Sequence, residues 1–404
     1  MAQRAPAVII PKRSLTWISS IREEEIGTVP YVANSAQVIP SQGGILPSDK
    51  FYYGLRIKVR GRVTNGATGP AAPYADWPWS LVNRIHIEGY HRPRAAQEPF
   101  LDIRGPDCRE FFGITQGNFP SLWTSVNGAL MAPVLPRTAN NGFSLANAAT
   151  TDFIMFYDII FPPAWPVPSP AINRQQAQWL LDAPNYDRLV MTIFWGDIAQ
   201  GYVAANVPAL GGFMVGAQAV PDCTVQALYA LGGKNNLFQG FVPGRVWRYF
   251  AENTTGDIVA AATVNSRQYN LPRGFRIARL MTKTGVKSAV VTPGNDAYVT
   301  RLNTVFTARL ILNYGTNKII RMHPDYYALQ ETNRQNFEIL PSDGYGIFDF
   351  ISHGHLQEAL DCQSLIAGPT GDVDVFLSSN IAGAANTAAL FLVEELRGQP
   401  QFVS

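Results

Sequence analysis

The sequence predicts an all-β protein built of antiparallel sandwiches, arranged in two halves. Three observations carry this. Apolar or alternating runs of five to fifteen residues recur along the chain and are separated by turn residues, with 34 glycines and 29 prolines supplying the punctuation. Helical patterns are short and few, which disfavours alternating βαβ units and a parallel sheet. The chain has 404 residues, more than one ordinary core holds and enough for two sizeable β domains.

Composition narrows the classes of function. Hydrophobic residues make up 47% and charged residues only 15%, well below the usual roughly one quarter. So little charge points to surface buried against neighbours in an assembly; a large β protein with many uncharged loops is the alternative. A net charge of +2 gives no global electrostatic case for nucleic acid. Cys108, Cys223 and Cys362 are widely spaced and read as reduced thiols of a protein made in a cytosol. No positively charged segment followed by an apolar stretch opens the chain, so no secretory signal is expected. Without secretion, the Asn253-Thr254-Thr255 sequon means little. Ile198 to Pro221 lacks ionisable side chains, but Pro208, Gly211, Gly212 and several amides make it a connection between strands and not a membrane span.

In chain order, residues 1–50 read as an N-terminal arm, punctuated by Pro6, Pro11, Pro30, Pro40 and Pro47, with one helical piece over Ser14–Glu25. Arg4, Lys12 and Arg13 make its beginning basic, suiting a neighbouring subunit or an anionic lipid surface, or simply a flexible terminus. Phe51–Asn65 is a strand in which Leu55, Ile57, Val59 and Val63 alternate with Arg56, Lys58, Arg60 and Arg62. The four cations are the ordinary outer face of a half-buried strand, or pair with acids across an interface. Leu81–Glu88 is a second strand, and Gly105-Pro106-Asp107 starts a short helix through Phe112. Gly113–Thr150 is a long, nearly uncharged excursion expected to hold at least one strand. Thr151–Phe161 is an apolar strand, Ala171–Asp182 a helix, and Asp187–Trp195 and Cys223–Leu231 are strands.

Gly232 to Asn236 marks the seam between the halves. Beyond it, Gly244–Phe250, Phe275–Thr282, Thr304–Tyr314, Tyr345–Ile351, Asp372–Leu377 and Ala388–Leu396 read as strands. A helix starts at Pro324-Asp325 and ends near Phe337, before Pro341. The order strand, helix, proline, strand over Thr304–Ser352 has a looser copy around Thr151–Trp195, which suggests two related halves.

No nucleophile elbow, phosphate loop or zinc-protease motif is present. His353 and His355 would share a strand face and, with Glu358 or Asp361, could hold a metal, but Gly354 between them favours a polar loop. Asp372 and Asp374 are a possible carboxylate pair and more simply a solvated face. No catalytic, cofactor or metal residue is assigned.

Several stretches together resemble a family. GLRIKVRGRVTN is similar to its opening strand, followed by LVNRIHIE. FYDIIFPPAW, a helix, and YDRLVMTIFW are similar to later strands of a first roll. HPDYYALQETNRQNFEILPSDGYGIFDF is similar to the helix and next strand of a second roll, and FLVEEL to the closing strand. The chain thus resembles the double jelly-roll major capsid proteins of tailless icosahedral phages with an internal membrane, the lineage that includes adenovirus hexon. The resemblance implies two consecutive eight-stranded jelly rolls with short flanking helices and long loops, over residues 51–235 and 236–404. It implies a non-enzymatic virion protein, made in the host cytoplasm, whose homotrimers form pseudo-hexagonal capsomers of an icosahedral shell. Partners would be neighbouring capsomers, minor capsid or vertex proteins and, through the arm, an internal lipid membrane, with no cofactor and no specific nucleic acid. A β-sandwich carbohydrate- or receptor-binding spike module is the alternative, with Trp77, Trp79 and Trp123 stacking on sugars.

Overall fold

The computed structural model describes residues 21–39, 46–47, 50–66, 69–91, 96–116, 122–134, 143–162, 179–203, 205–214, 220–230, 246–254, 265–270, 275–287, 298–301, 310–314, 318–351, 358–361, 374–379 and 387–398. The first half runs β1 (Ile21–Pro30), β2 (Ala36–Ile39), β3 (Phe51–Thr64), β4 (Val82–His91), β5 (Ala96–Ile103), α1 (Gly105–Gln116), β6 (Leu122–Val126), β7 (Ala132–Pro133), β8 (Thr150–Ile160), β9 (Leu181–Asp182), β10 (Arg188–Trp195), β11 (Ala209–Gly211) and β12 (Asp222–Ala230). The second runs β13 (Val246–Thr254), β14 (Asn265–Asn270), β15 (Arg276–Lys287), β16 (Tyr298–Arg301), β17 (Leu310–Tyr314), β18 (Lys318–His323), α2 (Tyr326–Phe337), β19 (Tyr345–Asp349), β20 (Leu360–Asp361), β21 (Asp374–Ser379) and β22 (Thr387–Gly398).

The pairings reveal one topology used twice. In the first half the sheets run β1-β12-β3-β8 and β2-β10-β4-β5. In the second they run β13-β22-β15-β19, then β14-β21 beside β17-β18, with β17 lying against β21. Counting only these strands within each half, both sets read first-eighth-third-sixth and second-seventh-fourth-fifth, which is the jelly-roll wiring. Each half carries its helix between the fifth and sixth strand. The predicted fold class, two consecutive eight-stranded jelly rolls, is what the chain adopts.

Alternation explains the first roll. Leu55, Ile57, Val59 and Val63 on β3 are fully buried, while the basic positions between them are half-exposed. On β8, Phe153, Met155, Tyr157 and Ile159 face the same core. The rolls join edge to edge: β5 pairs in parallel with β13 at Phe250↔Leu101 and Ala251↔Asp102, so one ten-stranded sheet runs through both. Phe250, Met281, Tyr345, Ile347 and Leu392 of the second roll belong to the same apolar core as the first.

Several expectations need correction. Residues 21–39 are not part of an arm. Ile21–Pro30 pairs along its length with β12, and Ala36–Ile39 pairs with β10, so they are the first two strands of the first roll. The acids Glu23–Glu25, which the sequence pattern groups with a helix, are exposed along this edge strand, where Arg56 meets Glu23 and Lys50 meets Glu24. GLRIKVRGRVTN is accordingly the third strand of the roll. The counterpart of the second-half helix is α1, between β5 and β8, and not the Ala171–Asp182 segment. Leu181 and Asp182 pair with Tyr52 and Phe51 as a short strand, and residues 171–178 lie outside the described ones. The boundary at 235/236, the proposed seam glycines and the residues before Ile21 also lie outside them.

Candidate functional site

The basic stripe on β3 finds its carboxylates within the chain. Arg56 Nε donates to Asp158 (2.7 Å) and Arg56 also meets Glu23 (3.2 Å). Arg60 Nε donates to Asp222 (2.9 Å), and Arg62 Nε to Asp152 (2.8 Å). Asp158 and Asp152 lie on β8 and Asp222 on β12, the two strands flanking β3. Lys58 has no carboxylate partner among the described residues. The arginines are half-exposed, but Asp152 and Asp222 are buried beneath them, and the pairs tie β3 to its two neighbours and hold three strands in register. Arg4, Lys12 and Arg13 lie outside the described residues.

His353, His355 and Asp372 also lie outside them, and Asp374 opens β21. Among the described residues no group of three or more His, Cys, Asp or Glu could hold a metal, and no helix is long and apolar enough to cross a membrane. Cys108 and Cys223 are free and fully buried, and burial pushes both thiols up; Cys362 is outside the described residues. Trp77 and Trp79 are core residues, 0% and 2% exposed, so they present no platform for a sugar ring; Trp123 is 38% exposed. Trp77 packs on Tyr202 and Phe143, because the loops after β3, β7 and β10 close together in the first roll.

The densest chemistry lies where the rolls meet, around α1. The helix begins at Gly105 because backbone crowds it: a Cβ there would stand 2.2 Å from the Val82 carbonyl oxygen and 2.5 Å from that of Trp79. Every residue from Gly105 to Thr115 is buried, charged ones included. Asp107, in the first turn where the helix dipole favours an anion, accepts from the Tyr345 hydroxyl (2.7 Å) and lies 3.1 Å from Lys283 Nζ. Lys283 also donates to Asp76 (2.7 Å). Glu110 accepts from the Ser342 backbone N–H (2.7 Å) and hydroxyl (3.0 Å) and pairs with Arg109. Arg104 lies 3.1 Å from Glu252 on β13. From the second roll, Arg248 reaches back to the carbonyls of Ile160 (3.1 Å) and Phe161 (3.0 Å) and pairs with Glu394.

These groups sit beside an apolar contact in which Phe250 packs edge-on against Phe111 at 5.1 Å and tilted on Phe112 at 5.3 Å. Desolvation offsets most of the Coulomb attraction of buried pairs, so the network adds little net stability. What it does is penalise every other placement of the rolls, because any slip leaves an unpaired buried charge. Sequence reasoning found the helix at 105–112 but not its role. Its polar partners in the second roll lie up to 238 residues away, and the local signal is three charges, Asp107, Arg109 and Glu110, in a helix with two Phe and two Gly.

No family model and no curated protein matches the chain. Solved structures do. The STIV MCP aligns with a TM-score of 0.60 at 15% identity, covering 94% of this chain and 97% of its own. The Faustovirus major capsid protein aligns at 0.55 and 10% identity over 93% and 90%, and the major capsid protein P2 from bacteriophage PM2 at 0.50 and 12% over 94% and 97%. Each likeness spans both rolls and the seam between them, and the chain therefore shares the double jelly-roll fold of these proteins.

Proposed function

We propose that this chain is the major capsid subunit of an icosahedral virus and resides in the virion shell. The observation that carries the reading is the likeness along nearly the whole chain, both rolls in one sheet, to proteins named as major capsid proteins. Sparse charge, at 15% of residues, supports extensive burial against neighbours. Three chains, each with two rolls side by side, make a pseudo-hexagonal capsomer, and closed symmetry lets the same patches be buried repeatedly. The role is structural and not enzymatic. Neighbouring capsomers and minor capsid or vertex proteins are the partners. The basic start of the chain, with Arg4, Lys12 and Arg13, reaches an internal membrane or an adjacent capsomer. The chain is made in the host cytoplasm.

Size-exclusion chromatography with light scattering on the full chain tests this. The expected result is a stable species of three times the chain mass, which electron microscopy shows as hexagonal particles. A monomer at micromolar concentration that binds glycans would overturn it in favour of a receptor-binding module.

A further inference from the structure

The seam holds two carboxyl groups placed against each other. Asp107 is on α1 of the first roll and Glu252 on β13 of the second. One Asp107 oxygen is fully engaged by Tyr345 and Lys283. The other, Oδ2, is buried and receives no hydrogen bond from any nitrogen or hydroxyl. The Glu252 carboxyl is within hydrogen-bonding reach of Asp107, and its own oxygens accept from the Arg104 backbone N–H (2.9 Å) and meet the Arg104 guanidinium (3.1 Å). A buried acceptor without a donor is unfavourable, and two ionised carboxyl groups side by side repel each other. One proton on Glu252 removes both penalties.

We propose that Glu252 and Asp107 share a single proton as a clasp between the two rolls, closed while the proton is held and loosened when it leaves. The charged and titratable groups around Glu252 fit this assignment. Facing it are Arg104 and Asp107 at the start of α1, the Cys108 thiol behind them and, farther out, Arg84 on β4. Lys283 and Tyr345 are directed at Asp107. Its strand neighbour on β22 is the apolar Leu392. Burial first, and the Asp107 anion second, push the Glu252 carboxyl well above the ordinary glutamate range. Burial also presses Asp107 upward, but Lys283 and its hydrogen bonds hold it below the ordinary aspartate range. The proton therefore sits on Glu252.

A group whose pKa is raised by folding binds more protons in the folded chain, so its stabilisation is complete below the ordinary glutamate value and is lost as pH rises toward the raised one. The clasp belongs to one chain and stands whether or not the subunit builds a shell. The test is denaturant unfolding of the full chain from pH 5 to pH 9, beside Glu252→Gln, whose amide donates to Asp107 at every pH. Relative to the variant, the wild type is expected to lose about tenfold in its folding equilibrium per pH unit through the titration. Parallel profiles for the two proteins would overturn the proposal. If the variant does not fold, infrared spectra decide on a Glu395→Gln background, which silences another glutamate that burial raises among the described residues. A protonated carboxyl band at pH 7 that disappears in alkali supports the clasp, and full ionisation at pH 7 overturns it.

Discussion

The two helices occupy the same place in the wiring of their rolls and are built in opposite ways. α2 has one buried face, Tyr326, Leu329, Gln330 and Asn333, and turns Tyr327, Glu331 and Arg334 outward. α1 is buried all round from Gly105 to Thr115. The difference lies in what covers each helix. α2 packs on β19 of its own roll, with Asn333 making paired hydrogen bonds to Ile347 (2.6 and 2.8 Å) and Gln330 bonding the Ser342 and Tyr345 carbonyls. α1 is enclosed by its own roll on one side and by β15, β19 and the Ser342 turn of the other. The flanking helix buries one mixed face and leaves its charges in water, whereas the one between two bodies must satisfy every polar and charged group it brings.

This contrast can be broken or sharpened by substitution. The largest effect is expected at the seam. Lys283→Met removes the ammonium that bridges Asp76 and Asp107, leaving Asp76 with Arg301 and Asp107 with the Tyr345 hydroxyl, for a loss of about 3–5 kcal/mol by denaturant unfolding. A loss below 1 kcal/mol would make α1 no different from a surface helix. On the flank, Leu329 packs on the backbone of Gly346 and is 1% exposed; Leu329→Ala should cost about 2–5 kcal/mol, with the lower part of that range expected where the open side of α2 lets the site collapse. Asp325→Ala removes the N-cap bond to the Ala328 N–H (2.8 Å) and should cost about 1 kcal/mol. Glu331→Ala breaks only exposed contacts, with Arg334 and Gln335, and the denaturation midpoint should not move.

What could be read in the sequence follows the same division. β3 was legible because its alternation is strict, and β8 because its run is apolar throughout. α2 was legible from Pro324-Asp325 and its spacing, and it spans Tyr326–Phe337 with Asp325 as cap. β1 was not: Glu23, Glu24 and Glu25 in succession hide a strand whose acids are met by Arg56 and Lys50 and whose backbone is held by β12, some two hundred residues on. The stripe Arg56, Arg60 and Arg62 was visible, but its carboxylates come from strands that only the folded sheet makes adjacent. The seam was the least legible part, since Asp107, Lys283, Tyr345 and Glu252 become neighbours only after both rolls have formed and joined.

The central claim is that this seam makes two jelly rolls one cooperative body. Hydrogen exchange of the full chain in increasing denaturant, read by mass spectrometry on peptides covering β8 in the first roll and β22 in the second, tests it most directly. The account predicts that both strands lose protection together, at one denaturant concentration, and that Lys283→Met lowers this shared midpoint. Two well-separated losses of protection in the unmodified chain would contradict it, because the rolls would then be independent domains that merely touch.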